Sequence, residues 1–217
     1  MSIVPLEAHL ATLADEFLPV YDVSDAVAVV ADADPHVTWE ALMRADLIEV
    51  GRRKPFVGLL GALRMLPDLA VQILRGERPS APERMTLHDI ALIALGDGGW
   101  TLLGERPDDE IALGLIGKFW RPVIEFAAVG ASEFAGFADP GYAKTLYSLS
   151  VRELVDGRTL LSGLMRTATT DEHARSWFRR YWTFGIGSGA HVLVNGLLAV
   201  VREDAEAQMG SDGRGSS

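Results

Sequence analysis

Five histidines are the residues of this chain best suited to proton transfer or metal ligation: His9, His36, His88, His173 and His191. None stands at H-x-H or H-x-x-x-H spacing, and no acidic neighbour completes a recognisable ligand pattern, so no metal site is expected. The stretch Gly185-Ile-Gly-Ser-Gly-Ala190 fits G-x-G-x-x-A, with Glu203 near the distance of a ribose-binding acid. A dinucleotide fingerprint must follow a strand and open a βαβ unit, whereas these glycines follow an aromatic helical stretch with too little chain after them. No cofactor is expected. Ser188 lacks the glycine of a nucleophile elbow, because Ile186 stands there. With no cysteine, thiol, disulfide and zinc-thiolate chemistry are excluded.

The elements that must position any polar group follow from periodicity. Leu6, Leu10, Leu13 and Phe17 predict an amphipathic helix ended by Pro19, so residues 1–19 read as a helical extension. Val23, Val27 and Val29 alternate as a strand. Asp34-Pro35 then supplies a cap and first-turn proline for a helix bearing Trp39, Leu42, Met43 and Leu47. Two short helices are expected within residues 52–75. Arg64 and Asp68 interrupt that apolar stretch and argue against a membrane span. From Met85 onward the period is mostly two, predicting antiparallel strands at 86–95, 100–105, 110–116, 142–153 and 158–168, with an insertion at 118–140. His88 would lie in the first of these, most simply as a hydrogen-bonded structural residue. Thr169-x-x-Glu172 reads as a capping box opening a C-terminal helix with Trp177, Phe178, Tyr181 and Trp182. The glycines predict an irregularity in that helix near 185–189. Residues 206–217 read as a disordered polar tail.

A chain of 217 residues with 48% hydrophobic composition can bury a core without staples. Its net charge of −10 argues against a nucleic-acid partner, which would call for a basic face. The first residues show no basic start and apolar run, and a cytoplasmic location is expected. Residues 181–201 carry no formal charge, but Gly185, Ser188, His191 and Asn195 lower their hydropathy. The amphipathic strands also need a cover. A membrane partner is therefore not expected, and homodimerisation through part of this helix stays open.

The order of elements predicts an α+β fold in which the last helix covers one sheet face. Gly61-Ala-Leu-Arg-Met-Leu-Pro67, Trp100-Thr-Leu-Leu-Gly-Glu105, Gly114 to Pro122, Phe134 to Phe137, Asp139-Pro-Gly-Tyr-Ala-Lys144 and Phe178-Arg-Arg-Tyr-Trp182 occur in an order and spacing that resemble the SRPBCC superfamily. That superfamily includes START domains, Bet v 1-like proteins and polyketide cyclases, and the likeness is closest to an uncharacterised bacterial branch, over residues 20–205. The resemblance implies one helix-grip domain, a curved antiparallel sheet wrapped around a long C-terminal helix. The branch pattern has a Glu two residues before Arg166; here that position is Leu164.

The expected function is binding of a small hydrophobic molecule between sheet and helix, lined by Trp100, Leu113, Tyr147, Leu149, Met165 and Trp182, with Arg166 as a candidate anion holder. Arg166 depends on a turn. A two-residue hairpin at Asp156-Gly157 faces it inward opposite Tyr147, whereas a three-residue loop Val155-Asp156-Gly157 puts Met165 there instead. Lys144, one of three lysines beside 17 arginines, has the same ambiguity, with a surface position the simpler reading. Two alternatives stand beside this one. A cyclase or dehydratase is implied by the resemblance, with His88, Tyr147 and Arg166 to test and the catalytic residues unknown. The other is a non-catalytic interaction module whose cavity its own rings fill.

Overall fold

The computed structural model describes residues 11–55, 83–90 and 99–212. Five antiparallel strands form one open sheet: β1 (Val23–Ala31), β2 (Trp100–Arg106), β3 (Glu110–Gly117), β4 (Ala143–Glu153) and β5 (Thr159–Thr169), in the order β1-β5-β4-β3-β2. Cross-strand hydroxyl pairs, Thr145 with Thr167 at 2.9 Å and Ser150 with Ser162 at 2.8 Å, help fix the β4–β5 register. The fold is α+β, with a long C-terminal helix packed on the sheet, as a helix-grip arrangement requires.

Period-two alternation sends residues to two faces, and both are covered. On the inner face, Val27, Val29, Ile111, Leu113, Leu149, Val151 and Leu161 pack against three helices: α1 (Leu13–Phe17) lies elsewhere, while α2 (Pro35–Arg44), α3 (Leu47–Arg53) and α6 (Gly187–Asp212) close this side. Asp34 caps α2 by accepting from the Val37 N–H at 3.0 Å, with Pro35 at its first position. On the outer face, α1 and α4 (Ala131–Phe134) bury Leu103, Ala112, Ile116 and Leu146. A third cluster, Phe119, Ala143 and Phe178 with Leu115, Tyr181 and Trp182 against it, joins α5 (Glu172–Tyr181) to one end of the sheet.

Several local expectations are corrected. Residues 87–90 are helical, not a strand, because Thr86 and Asp89 form a reciprocal cap: Asp89 Oδ2 accepts from the Thr86 N–H at 2.8 Å, and Thr86 Oγ1 from the Asp89 N–H at 3.2 Å. The remainder of the expected 86–95 strand, residues 56–75 of the 52–75 stretch expected to form two short helices, and the helix positions Leu6 and Leu10 fall outside the described residues. The cap of α5 is Asp171, accepting from the Ala174 N–H at 2.7 Å. Thr169 instead holds Asp22. The irregularity expected near 185–189 is present, as a π turn at Trp182–Ile186 that separates α5 from α6, which meet at 62°. Beyond residue 206, where a tail was expected, α6 continues to Asp212. Ala205 is buried there, Glu206 accepts from the Asp32 N–H at 3.1 Å, and Arg44 donates to Gln208 at 2.7 Å.

Candidate functional site

The β4–β5 connection decides which side chains face the helix. Leu154 and Arg158 pair, and the Gly157 N–H returns to the Leu154 carbonyl at 2.9 Å, leaving the three-residue loop Val155-Asp156-Gly157. Gly157 sits at φ +80°, the left-handed position such a loop needs. Tyr147 is consequently opposite Met165, and Met165 points inward.

Arg166 thereby lies on the outer face, a correction to its place among the inward ligand-binding candidates. Its guanidinium pairs with Asp15 at 2.8 Å, donates to the Leu18 carbonyl at 3.2 Å and stacks over Tyr21. It is an anchor for α1. The Thr12 hydroxyl first, and Arg166 next, hold the Asp15 carboxyl below its ordinary range. Lys144 is also on the outer face, donating to the Ala135 carbonyl at 2.8 Å.

The inward set divides in two. Trp100, Leu113, Tyr147, Leu149 and Met165 share the inner sheet face, and the Trp100 and Tyr147 rings meet at 5.3 Å with a 59° tilt. Trp182 belongs to the end cluster, stacked on Phe178 at 5.8 Å. Leu115, paired with Trp100 across β2–β3, touches that same cluster and links the two groups. Leu113, Leu149 and Met165 are buried, whereas Trp100, Leu115 and Tyr147 keep part of their surface exposed. Together they form an apolar floor that is partly exposed at Trp100, Leu115 and Tyr147.

Where α6 crosses the sheet there is no such opening. Asp25, Val27, Tyr147, Gly163 and Met165 meet Ala190 and Val194 with no volume a water could fill. Gly163 permits this approach, since a Cβ there would run into the Val194 methyl. A groove of about 330 Å³ lies instead between α2, α3 and α6. Its lining includes Arg44, Asp46, Glu49, Arg53 and Asp204, which makes it a charged trough.

At the rim of the floor the structure places a pair that sequence reasoning missed: His191 Nδ1 is 2.9 Å from Asp25 Oδ2. The Asp25 carboxylate accepts a hydrogen bond from Nδ1 and so orients the ring. The signal was available, because Asp25 falls in phase with Val23, Val27 and Val29 on a strand whose inward face is apolar. An inward carboxylate needs a partner. Burial first, then the fields of Tyr181 and Asp25, push the Tyr147 hydroxyl well above its ordinary range. Near neutral pH it remains a protonated phenol, able to donate a hydrogen bond but not to act as a base.

The acid/base candidates do not converge. Arg166 is across the sheet from Tyr147. His88, in its helical turn, pairs with Glu105 at 2.8 Å with its side chain 47% exposed. Among the described residues no cluster of His, Asp or Glu is arranged to hold a metal ion, and no single helix is long and apolar enough to cross a membrane. No family model and no curated protein matches this chain.

Proposed function

We propose that this protein binds a small, largely apolar molecule on its inner sheet face, against Trp100, Leu113, Leu115 and Tyr147. The observation that carries this reading is the Trp100–Tyr147 pair, two rings in contact and still partly exposed, beside the part-exposed Leu102 and Leu115 and next to the buried Ile111, Leu113 and Leu149. Covering such a floor removes apolar surface from water at roughly 25 cal/mol per Å². Aromatic faces and edges also favour particular packing geometries in a flat guest. The Tyr147 hydroxyl and the rim pair Asp25–His191 supply the few polar groups that fix orientation. The tight contact at Gly163 limits depth, so the guest lies over β2 to β4 and not beneath α6. The helix-grip resemblance supports the same reading.

That tight contact also favours a second reading, a non-catalytic interaction module whose interior is filled by its own side chains. Denaturing extraction of the purified protein with mass spectrometry, followed by titration with anilinonaphthalene sulfonate, separates the two. The binding reading expects a retained apolar molecule, or probe binding that weakens about tenfold in Trp100→Ala and Tyr147→Ala, in line with losing one well-packed ring contact. A protein that arrives empty and ignores the probe is the module.

A further inference from the structure

On the side of α5 turned away from the sheet, one line of residues lies outside the core clusters. Ala174 and Phe178 are buried inward. His173, Trp177, Arg180 and Phe184 follow one another along the opposite face, at helical spacing carried into the π turn. Contacts along the line confirm that these side chains are neighbours. The Trp177 Nε1–H donates to His173 Nε2 at 3.1 Å, and the Arg180 guanidinium lies 5.4 Å from the Trp177 ring centre. Trp177 is 43% and Phe184 88% exposed.

Charge on this helix runs against the rest of the chain. Residues 172–181 carry Arg175, Arg179 and Arg180 against Glu172 alone, in a protein of net charge −10. Arg175 is spent on Asp22 and Glu172. Arg179 and Arg180 are exposed and form no ion pair among the described residues. The partner this surface fits is therefore anionic. It must also take a phenylalanine that projects at the bend, which asks for a deformable apolar medium more than for a shaped socket.

We propose that the exposed line of α5 and the π turn is a peripheral contact for an anionic lipid bilayer. Phe184 and Trp177 enter the boundary between headgroups and acyl chains, and Arg179 and Arg180 pair with the headgroups. Such a helix lies in the interface and does not span the membrane. Tryptophan is suited to this depth because its ring is apolar and its N–H polar. The hydropathy of residues 181–201 is a separate matter, since α6 uses Val194, Leu197, Leu198 and Val201 against the protein's own core. The contact does not depend on the guest proposed for the inner face.

The test is cosedimentation of the full chain with vesicles of phosphatidylcholine and phosphatidylserine, and with vesicles of phosphatidylcholine alone. The wild type is expected to partition onto the mixed vesicles and to be released by salt. Phe184→Ser and the double variant Arg179→Glu/Arg180→Glu should each lose about tenfold in partitioning. The thermal melt of Phe184→Ser should be unchanged, because that side chain is 88% exposed, while Arg179→Glu/Arg180→Glu gives up only the surface stacking of Arg180 on Trp177. Bromine-labelled lipid should quench the wild type more than Trp177→Phe. Equal affinity for both vesicle types, no association, or unchanged partitioning of Phe184→Ser overturns the proposal. So does binding to polyglutamate with no binding to vesicles, which would assign the surface to an acidic protein.

Discussion

The two faces of the sheet are built from the same alternation yet closed by different means. The outer face is sealed by short elements anchored through polar groups. Buried Glu110 accepts from the Leu13 N–H of α1 at 2.9 Å and from the Ser148 hydroxyl at 2.5 Å, and Arg166 holds α1 through Asp15 and, at its far end, through the Leu18 carbonyl. Phe134 of α4 then lies flat on Gly114, where a Cβ would come within 2.7 Å of its ring. The inner face is covered mainly by apolar contact with α2, α3 and α6, whose outer edges are tied by Arg53 and Lys54 to Glu203 and Asp204, and it leaves Trp100, Leu115 and Tyr147 partly exposed. A polar latch fixes a small lid because hydrogen bonds are directional and a buried carboxylate without partners is costly. Apolar helix packing carries no such directional constraint. The partly exposed aromatic floor is therefore the surface left for the proposed guest.

The sharpest test of that contrast removes one ring from each face. Phe134→Ala should destabilise by about 3–5 kcal/mol, since a fully buried phenyl leaves a cavity that the anchored lid cannot collapse into. Trp100→Ala should cost clearly less despite the larger ring, because the tryptophan is already partly in water. Urea unfolding of the two variants measures both. Equal losses would mean that the inner face is as sealed as the outer, which would remove the basis for a binding floor.

A smaller effect sharpens the inner face itself. Gly163→Ala should cost about 1–3 kcal/mol, because the added methyl must push Val194 and α6 off β5. The same variant should raise binding of anilinonaphthalene sulfonate if lifting α6 widens the approach to Tyr147. Loss of stability with no change in probe binding would place the floor out of reach of the helix and confine the guest to β2 and β3.

Much of this architecture was legible in the residues. Alternation in β1, β3, β4 and β5 placed those strands within a residue or two, and Asp34-Pro35 marked α2. The inward group Trp100, Leu113, Tyr147 and Leu149 followed from period two. What alternation could not supply was absolute phase past a turn: Arg166 was even-handed between faces until the three-residue loop at Val155–Gly157 fixed it. Residues 87–90 misled because a Thr–Asp cap three residues apart outweighs a short apolar alternation. The Asp25–His191 pair was hidden for another reason. Its members are separated by most of the chain, and only the packing of α6 across β1 joins them.

The least of the expected effects concerns the joint between β1 and α5, where Asp22 ties α5 to the neighbouring ends of β1 and β5. Burial alone would raise this carboxyl. The Thr169 hydroxyl and N–H, at 2.6 and 2.8 Å, and the Arg175 guanidinium at 2.8 Å outweigh it and hold the group below its usual 3.8. The unfolded chain then takes up the proton at a higher pH than the folded one. The contribution of Asp22 is accordingly whole above about pH 4 and fades as pH falls through the lowered native value. Asp22→Asn should cost stability at neutral pH and little at pH 3, measured as the difference in urea midpoints between variant and wild type. The effect is small because Asp22 is partly solvated and its charge is screened. A cost that persists undiminished at pH 3 would show that the side chain acts through hydrogen bonds the amide cannot make, and not through its charge.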